Sequence, residues 1–462
     1  MKNAQVLTVA QMQAAEQALI DAGTSVDEIM QIAGRGAAEW VWRVAAGRPV
    51  TVLCGPGNNG GDGYVIAESL RRHGHDVLVI APREPGTETA RTARAQYSGE
   101  ITDAGPLHHA VVVDCLFGYG LARAVEGDFA KLLEELAVKD CYKIAIDVPS
   151  AVESDTGKVL GPLPRYDLTL ALGAWKQAHV LMPSMAAMGV QRCVPIGLDL
   201  ATASAGLSNR PRLSPPAVDA HKYRRGLLAV IAGAMPGAPL LAAEAAMRGG
   251  AGYVKLLSEH SHPDAPAELV IEQGDLGQSL ADERIAAMLV GPGLGRDEVA
   301  RDRLVQVLAY RRPAVLDADA LHLLDPELLA KADPSTICLT PHEGELEKLC
   351  EVFGVSGSSK IDRARRLHDV TGLAILAKGP ETVLVSDVTT SFFPRGSSWL
   401  SVAGTGDVLA GIVGARLAVH GERHRACEEG VWLHHEAARW ASPAFTAGEL
   451  AHAVKPAMAA LL

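Results

Sequence analysis

The sequence has no basic tract, no Cys-x-x-Cys, no His-Glu-x-x-His and no uninterrupted apolar segment long enough to span a bilayer. With a net charge of −11, the missing basic tract argues against a general polyanion surface, and no nucleic-acid partner is expected. A phosphorylated ligand must then be gripped locally, by amides, helix starts and a few cations. Seven scattered cysteines, Cys54, Cys115, Cys141, Cys193, Cys338, Cys350 and Cys427, are odd in number and read as reduced, mainly buried thiols. The opening Met1-Lys2-Asn3-Ala4-Gln5 lacks the apolar core of a signal peptide, so a cytoplasmic protein without a membrane partner is expected. What is present is a folded composition, 48% hydrophobic and 21% charged, over 462 residues, enough for two or three domains with cores of their own.

The stretch richest in chemistry is Ala403-Gly404-Thr405-Gly406-Asp407, followed by the apolar run Val408 to Val413. Two glycines flanking a threonine let backbone N–H groups point into one concavity, and a helix beginning at Thr405 adds its positive dipole end. Asp407 then falls in the first turn beside that anion hole, while Val408, Leu409, Ile412, Val413 and Leu417 bury the far side. A carboxylate next to an anion hole suits phosphoryl transfer to a hydroxyl. An ordinary helix start, with Thr405 as N-cap and Asp407 offsetting the dipole, uses the same residues.

Residues 9–45 predict two helices, with apolar stripes Met12, Ala15, Leu19 and Val26, Ile29, Met30, Ala33, Ala37 that pack on a sheet or on another copy of the chain; a homo-oligomer is expected. The β-rich run Val50–Cys54 opens into Gly55-Pro56-Gly57-Asn58-Asn59-Gly60-Gly61-Asp62-Gly63, and helix is predicted from Tyr64 to Arg72. Five glycines in nine residues let a ligand approach the backbone closely. Strands follow at Asp76–Ile80, Val111–Asp114, Lys143–Asp147 and Leu168–Leu172, an alternation that predicts an open, mainly parallel α/β sheet. Ligands collect at the carboxyl ends of such strands, where Asp114 and Asp147 stand; Asn59, Asp114 and Ser150 could converge as hard oxygen donors or serve as separate caps and turns.

On these motifs, with Asp114-x-x-Phe117-Gly118-x-Gly120-Leu121, Asp147-Val148-Pro149-Ser150 and Asp155-x-Gly157, residues 5–200 resemble the NAD(P)H-hydrate epimerase domain family. The resemblance implies a Rossmann-like domain over 1–205. It also implies substrate contacts at Asn58, Asn59, Gly60, Gly61, Asp62 and at Gly118, Tyr119, Gly120, Leu121, Ala122, Arg123, potassium at Asn59, Asp114 and Ser150, and Asp147 as acid/base candidate. The chain departs from the family pattern at Ala151 and Ala178, both usually glycine, and alanine reaches a positive φ less cheaply.

Residues 201–220 carry three prolines and no apolar periodicity; the boundary is expected near 205–220, with 206–220 as linker and 221–462 as a second domain. His221-Lys222-Tyr223-Arg224-Arg225-Gly226 places cations at a strand entrance, as a solvated turn or an anion contact. Four strands end in Gly233-Ala234-Met235-Pro236-Gly237-Ala238-Pro239, Gly291-Pro292-Gly293-Leu294-Gly295, Asp317-Ala318-Asp319-Ala320 and Thr340-Pro341-His342-Glu343-Gly344-Glu345, which together suggest an active-site rim, and Lys378-Gly379-Pro380-Glu381-Thr382 reads as a nucleotide-phosphate contact. Glu343 and Glu345 are candidates for outer-shell groups around a metal; His434 and His435 read as structural.

In this order the motifs resemble the ADP-dependent NAD(P)H-hydrate dehydratase branch of the ribokinase-like superfamily over 218–462. The resemblance implies an α/β sandwich, a hydrate pocket lined by Ala238, Gly293, His342 and Asp407, and an adenine-nucleotide site at Lys378, Gly379, Pro380, Glu381 and Thr382 with Gly404, Thr405 and Gly406. The expected protein is an α/β enzyme of two domains. The first epimerises R and S hydrates of NADH and NADPH at C6. The second dehydrates the S form using ADP, with Asp407 as base, AMP and phosphate as by-products, and magnesium as an ion the residues neither require nor exclude. An ATP-dependent small-molecule kinase fused to a non-catalytic nucleotide-binding domain is the alternative.

Overall fold

Parallel strands and the helices that cover them account for most of the computed structural model, which describes residues 4–199, 205–260 and 262–462. Of the expected segments, the first three residues and positions 200–204 of the join lie outside these. The chain divides into two compact units, Met1–Gly206 and Leu207–Leu462.

In the first unit seven strands form a wholly parallel sheet in the spatial order Glu100–Thr102, Val77–Ile80, Val50–Cys54, Val111–Cys115, Tyr142–Ile146, Leu168–Leu172, Val190–Val194. Val50–Cys54 and Val111–Cys115 are buried at every position, as unbroken apolar strands with helices on both faces require. The order reverses between these two strands, so the crevice at their carboxyl ends is the topological switch point where open α/β sheets bind ligands. The two expected N-terminal helices are Val9–Asp21 and Val26–Ala45. Each starts at a reciprocal capping box, Thr8 with Gln11 and Ser25 with Glu28, which satisfies first-turn N–H groups and fixes where the helix begins.

The second unit repeats the same wiring. Its parallel strands run Val270–Glu272, Tyr253–Leu257, Leu227–Ile231, Ile285–Val290, Ala314–Leu316, Ile337–Leu339, Ala374–Ala377, and an antiparallel pair, Val383–Val385 and Thr390–Phe392, extends one side. Again the order reverses once, between Leu227–Ile231 and Ile285–Val290. From Leu207 onward the expected linker is part of this unit: Leu213 is buried and its N–H donates to the Leu461 carbonyl at 2.7 Å, while Arg210 donates to the Ala460 carbonyl at 2.8 Å.

Helix Thr405–His420 departs from the one-sided helix expected. Thr405 and every residue from Val408 to Ala418 is buried, because helices Gly237–Arg248 and Arg423–Ala441 pack on it in addition to the sheet. Such close approach needs small residues; a Cβ on Gly411 would stand 2.1 Å from the Ala242 carbonyl oxygen, a backbone atom that cannot step aside. Gly411→Ala should therefore cost at least the ~1–3 kcal/mol typical of overpacking, read as a lower thermal midpoint for the second unit with the first unit's transition unchanged.

Candidate active sites

In the first unit the helix begins at Asn58, earlier than expected, so the glycine segment forms its opening turns rather than a free loop. A Cβ on Gly55 would lie 1.7 Å from the Leu116 carbonyl oxygen, and one on Gly60 would lie 1.8 Å from the Gly55 carbonyl oxygen. Those glycines serve close packing of strand, helix and loop, a demand the sequence reading did not foresee. Beside them opens a cavity of ≈ 610 Å³. Asn58, Asn59 and Asp62 line it, as do all of Gly118, Tyr119, Gly120, Leu121, Ala122 and Arg123, together with Asp147 and Lys176. Gly60 and Gly61 do not, since Gly61 sits against Met30 and Ala90. Met12, Ile29 and Met30, from the two N-terminal helices, supply an apolar wall.

Three acids and one lysine share this cavity, and their hydrogen bonds tell them apart. Asp147 Oδ1 accepts from Lys176 Nζ at 2.5 Å and from the Leu172 N–H at 3.3 Å; Oδ2 accepts the Tyr119 N–H at 2.9 Å. Its backbone is held at φ +67° by its own N–H to the Leu170 carbonyl and by His179 Nε2–H to its carbonyl at 2.7 Å. An aspartate kept in that region by surrounding bonds is the form strain takes at functional positions. Burial holds His179 neutral, down to about 4, so Nδ1 accepts the Lys176 N–H while Nε2 donates. Glu16 Oε2 accepts the Tyr119 hydroxyl at 2.6 Å. Asp62 alone has no hydrogen-bond donor among the described residues, and burial together with the charges of Asp147 and Glu16 pushes its carboxyl well up. Glu16 and Lys176 were not assigned from sequence; the one readable sign of Glu16 is an acid on an otherwise apolar helix stripe.

Beneath the cavity, Asp114 and Ser150 are buried and joined, Ser150 Oγ donating to Asp114 Oδ1 at 2.7 Å and accepting the Phe117 N–H at 2.9 Å. Asp114 Oδ2 accepts the Tyr166 hydroxyl at 2.5 Å. Asn59 Oδ1 is buried without a partner, while its Nδ2 donates to the Ile146 carbonyl. The orphaned Asn59 amide oxygen, the Asp114 carboxylate and the Ser150 hydroxyl are all oxygen donors, the chemistry a hard cation takes. The two alanines that replace the usual glycines differ in cost. Ala151 does take a left-handed conformation, φ +76°, whereas Ala178 lies in an ordinary 3₁₀ turn, Gln177–His179.

In the second unit the expected rim forms at the carboxyl ends of the parallel strands. The loops Gly233–Pro239 and Gly291–Gly295 are stitched by Met235 N–H to the Gly293 carbonyl and Ala234 N–H to the Leu294 carbonyl, which sets Ala238 at a helix start beside Gly293. Lys378 Nζ meets buried Asp317 Oδ1 at 2.6 Å. Asp319 accepts the Gly295 N–H at 3.0 Å and the Arg296 guanidinium at 2.7 Å. His342 is largely exposed, its side chain 61% accessible, and its Nδ1 caps helix Glu343–Val352 by accepting the Gly344 and Glu345 N–H groups.

Of the two glutamates, Glu345 accepts the His342 N–H and Glu343 pairs with Arg363. The basic segment 221–226 stands at the amino end of strand Leu227–Ile231, away from the rim, with Arg224 on Asp219 and Lys222 over the Tyr223 and Tyr253 rings. His434 is structural as expected, its Nε2 bonded to the Thr405 carbonyl at 3.0 Å.

Gly404, at φ +90°, is the N-cap of helix Thr405–His420, and no side chain caps it; the Thr405 hydroxyl instead donates backward to the Leu400 and Val402 carbonyls. The ordinary-helix-start reading therefore fails at Thr405. Among the described residues the Gly406 and Asp407 amides donate to no acceptor, which leaves them open to an anion. A Cβ on Gly406 would lie 3.4 Å from Lys378 Nζ, so an ammonium flanks those amides. Asp407 is pushed up to about 6 by burial first and by Asp317 second, against the pull of Lys378. A half-buried carboxylate in that range, with an amide hole and a cation beside it, can take a proton from a bound hydroxyl near neutral pH.

Comparison with known proteins gives two family matches, NAD(P)H-hydrate dehydratase over residues 228–458 and YjeF-related protein N-terminus over 26–178. The bifunctional NAD(P)H-hydrate repair enzyme of Thermanaerovibrio acidaminovorans is 32% identical over 91% of this chain and 91% of its own length. That of Gloeobacter violaceus is 34% identical over 93% and 92%. Among solved structures, the ADP/ATP-dependent NAD(P)H-hydrate dehydratase of Bacillus subtilis, co-crystallised with ATP and magnesium, is 26% identical over 54% of this chain and 95% of its own, with a TM-score of 0.48.

The position of Asp407 makes a stability prediction. Its folded value of about 6 exceeds an unfolded value near 3.9, so ionisation opposes folding, and the opposition grows as pH rises through 6. Asp407→Asn should raise the thermal midpoint at pH 7.5, and the gain should vanish below pH ~4, where the acid is protonated in both states. Thermal melts at both pH values check it.

Proposed function

The chain belongs to the family of bifunctional NAD(P)H-hydrate repair enzymes, and from that premise we propose that it returns hydrated NADH and NADPH to the reduced cofactors in two steps. The first unit interconverts the R and S hydrates at C6 of the nicotinamide ring, and the second dehydrates the S form at the expense of ADP. The observation that carries this reading is Asp407, a carboxylate shifted to about 6 at the mouth of an uncapped helix start beside Lys378.

In the second unit Asp407 takes the proton of the C6 hydroxyl, and the hydroxyl oxygen attacks the terminal phosphorus of ADP. The Gly406 and Asp407 amides and Lys378 face the charge that builds on the phosphoryl oxygens, and AMP departs. Phosphate then leaves C6 with its bonding electrons as a proton leaves C5, which restores the ring double bond. Ala238, Gly293 and His342 are the hydrate contacts of this proposal, and Lys378 to Thr382 with Gly404 to Gly406 are the nucleotide contacts.

In the first unit two carboxyls in different environments suit a carbinolamine. Asp147, addressed by Lys176 and two amides, takes the hydroxyl proton as C6=O forms and the C6–N1 bond breaks; Asp62, which has no donor of its own, protonates N1. Rotation about C5–C6 and the reverse transfers close the ring on the other face. Asn58, Asn59 and the Gly118–Arg123 loop hold the nucleotide. Potassium would be held by Asn59, Asp114 and Ser150 and would supply a fixed positive charge there. Magnesium would travel with the ADP phosphates. Cytoplasmic residence and a homo-oligomer are part of the same proposal, the latter supported by exposed Ile32 and Trp42 on helix Val26–Ala45.

Turnover of an R/S hydrate mixture, followed by recovery of NADH absorbance with ADP or ATP, tests the whole reading. AMP should accumulate from ADP in step with NADH; a phosphorylated product without NADH would instead identify a small-molecule kinase. Asp407→Asn should lower dehydration by at least ~10³-fold while ADP still binds, and the wild-type rate should fall about tenfold per pH unit below 6. Asp62→Asn and Asp147→Asn should each slow epimer exchange ~10²-fold or more, seen as hydrate consumption stalling once the S form is spent. Unchanged exchange in either variant removes that residue from the mechanism.

A further inference from the structure

Lys360 occupies a position that a lysine should avoid. It is the first residue of helix Lys360–Thr371, where the dipole disfavours a cation, and its side chain is only 8% exposed. Burial pulls its ammonium below the usual lysine range, against the opposing pull of Glu381. Nothing in helix formation explains such a placement. The ammonium's partners do: Nζ donates to the Lys378 carbonyl at 2.7 Å, to the Glu381 carbonyl at 2.8 Å and to Glu381 Oε1 at 3.3 Å. All three of its protons go to one loop, Lys378 to Thr382, between strands Ala374–Ala377 and Val383–Val385.

In a trans peptide the carbonyl and the following N–H point in opposite directions. Turning the Lys378 and Glu381 carbonyls toward Lys360 therefore turns the Gly379 and Thr382 amides away from it. Among the described residues neither amide donates to an acceptor. The loop is also closely fitted to the ammonium, since a Cβ on Gly379 would lie 2.5 Å from Nζ. Glu381 would otherwise set an uncompensated carboxylate beside any polyphosphate on this loop.

We propose that Lys360 is a positioning residue for ADP: an internal counter-cation that folds the Lys378–Thr382 loop into an anion-receptive shape and cancels the Glu381 charge. The proposal rests on the nucleotide role given above to that loop. Lys360 touches neither the nucleotide nor the hydrate. It acts through the two amides it turns outward and through the charge it removes.

The test uses the full-length protein, with ADP binding measured by calorimetry and dehydration by NADH recovery. Lys360→Met, which keeps the stem and removes the charge, should raise both Kd and KM for ADP by about tenfold or more. The KM for hydrate and kcat at saturating ADP should change little, and epimer exchange by the first unit should be untouched. Lys360→Met combined with Glu381→Gln should recover part of the ADP affinity, because the stranded carboxylate is gone. Lys360→Ala should regain affinity when methylammonium is added, a rescue that a purely packing role would not produce. Wild-type ADP affinity in Lys360→Met, or equal loss in the single and double variants without amine rescue, overturns the proposal. Absence of ADP binding by the wild type would instead overturn the nucleotide reading, and this inference with it.

Discussion

Carboxylates gathered at the carboxyl ends of parallel strands must be neutralised where water is scarce, and in this acidic chain single lysines do it. Lys176 serves Asp147, Lys378 serves Asp317 and Lys360 serves Glu381. Taking an ammonium and a carboxylate out of water costs several kcal/mol per ion, repaid only when geometry is close and the remaining protons find acceptors. Each lysine meets that condition differently. Lys176 spends a second proton on the Leu172 carbonyl, Lys360 spends two on loop carbonyls, and Lys378 keeps its remaining protons beside the open helix start. Among the described residues Asp62 and Asp407 pair with no lysine, and both are held above the ordinary carboxylate range.

Both units use one strand order with one reversal. The parallel strands are legible in sequence: Val50–Cys54 and Val111–Asp114 are too short for helices and end in Gly55 and Asp114, so strands and rim are placed from pattern. The misreadings share a cause. Gly55 and Gly60 were taken as room for a ligand, yet they are room for a neighbouring backbone, and sequence cannot tell the two apart because either demands the missing Cβ. Helix Thr405–His420 read as one-sided since its polar-looking positions are glycine and alanine, whose smallness signals burial on several faces as readily as exposure. Lys360 gave no signal, a lysine after two serines being indistinguishable from a solvated helix start until its ammonium is seen against two carbonyls.

The proposed cation site illustrates how local geometry grades a resemblance. Ala178 costs the backbone nothing, while Ala151 adopts the left-handed region that the usual glycine would enter freely, at a cost of order 1–2 kcal/mol. The turn is retained nonetheless, because the Ser150 N–H and hydroxyl both reach Asp114 and the Leu160 N–H holds the Ala151 carbonyl. Three bonds across two residues outweigh one strained dihedral.

The enclosed helix that carries Asp407 limits where this enzyme can move. Clasped by two helices and a sheet through glycine contacts with no slack, it cannot pivot to follow a ligand, so adaptation falls to the strand-end loops. Specificity for one bound molecule over another should thus be retuned by exchanging loop sequence while the segment from Thr405 to Ala418 stays confined to a small-residue vocabulary.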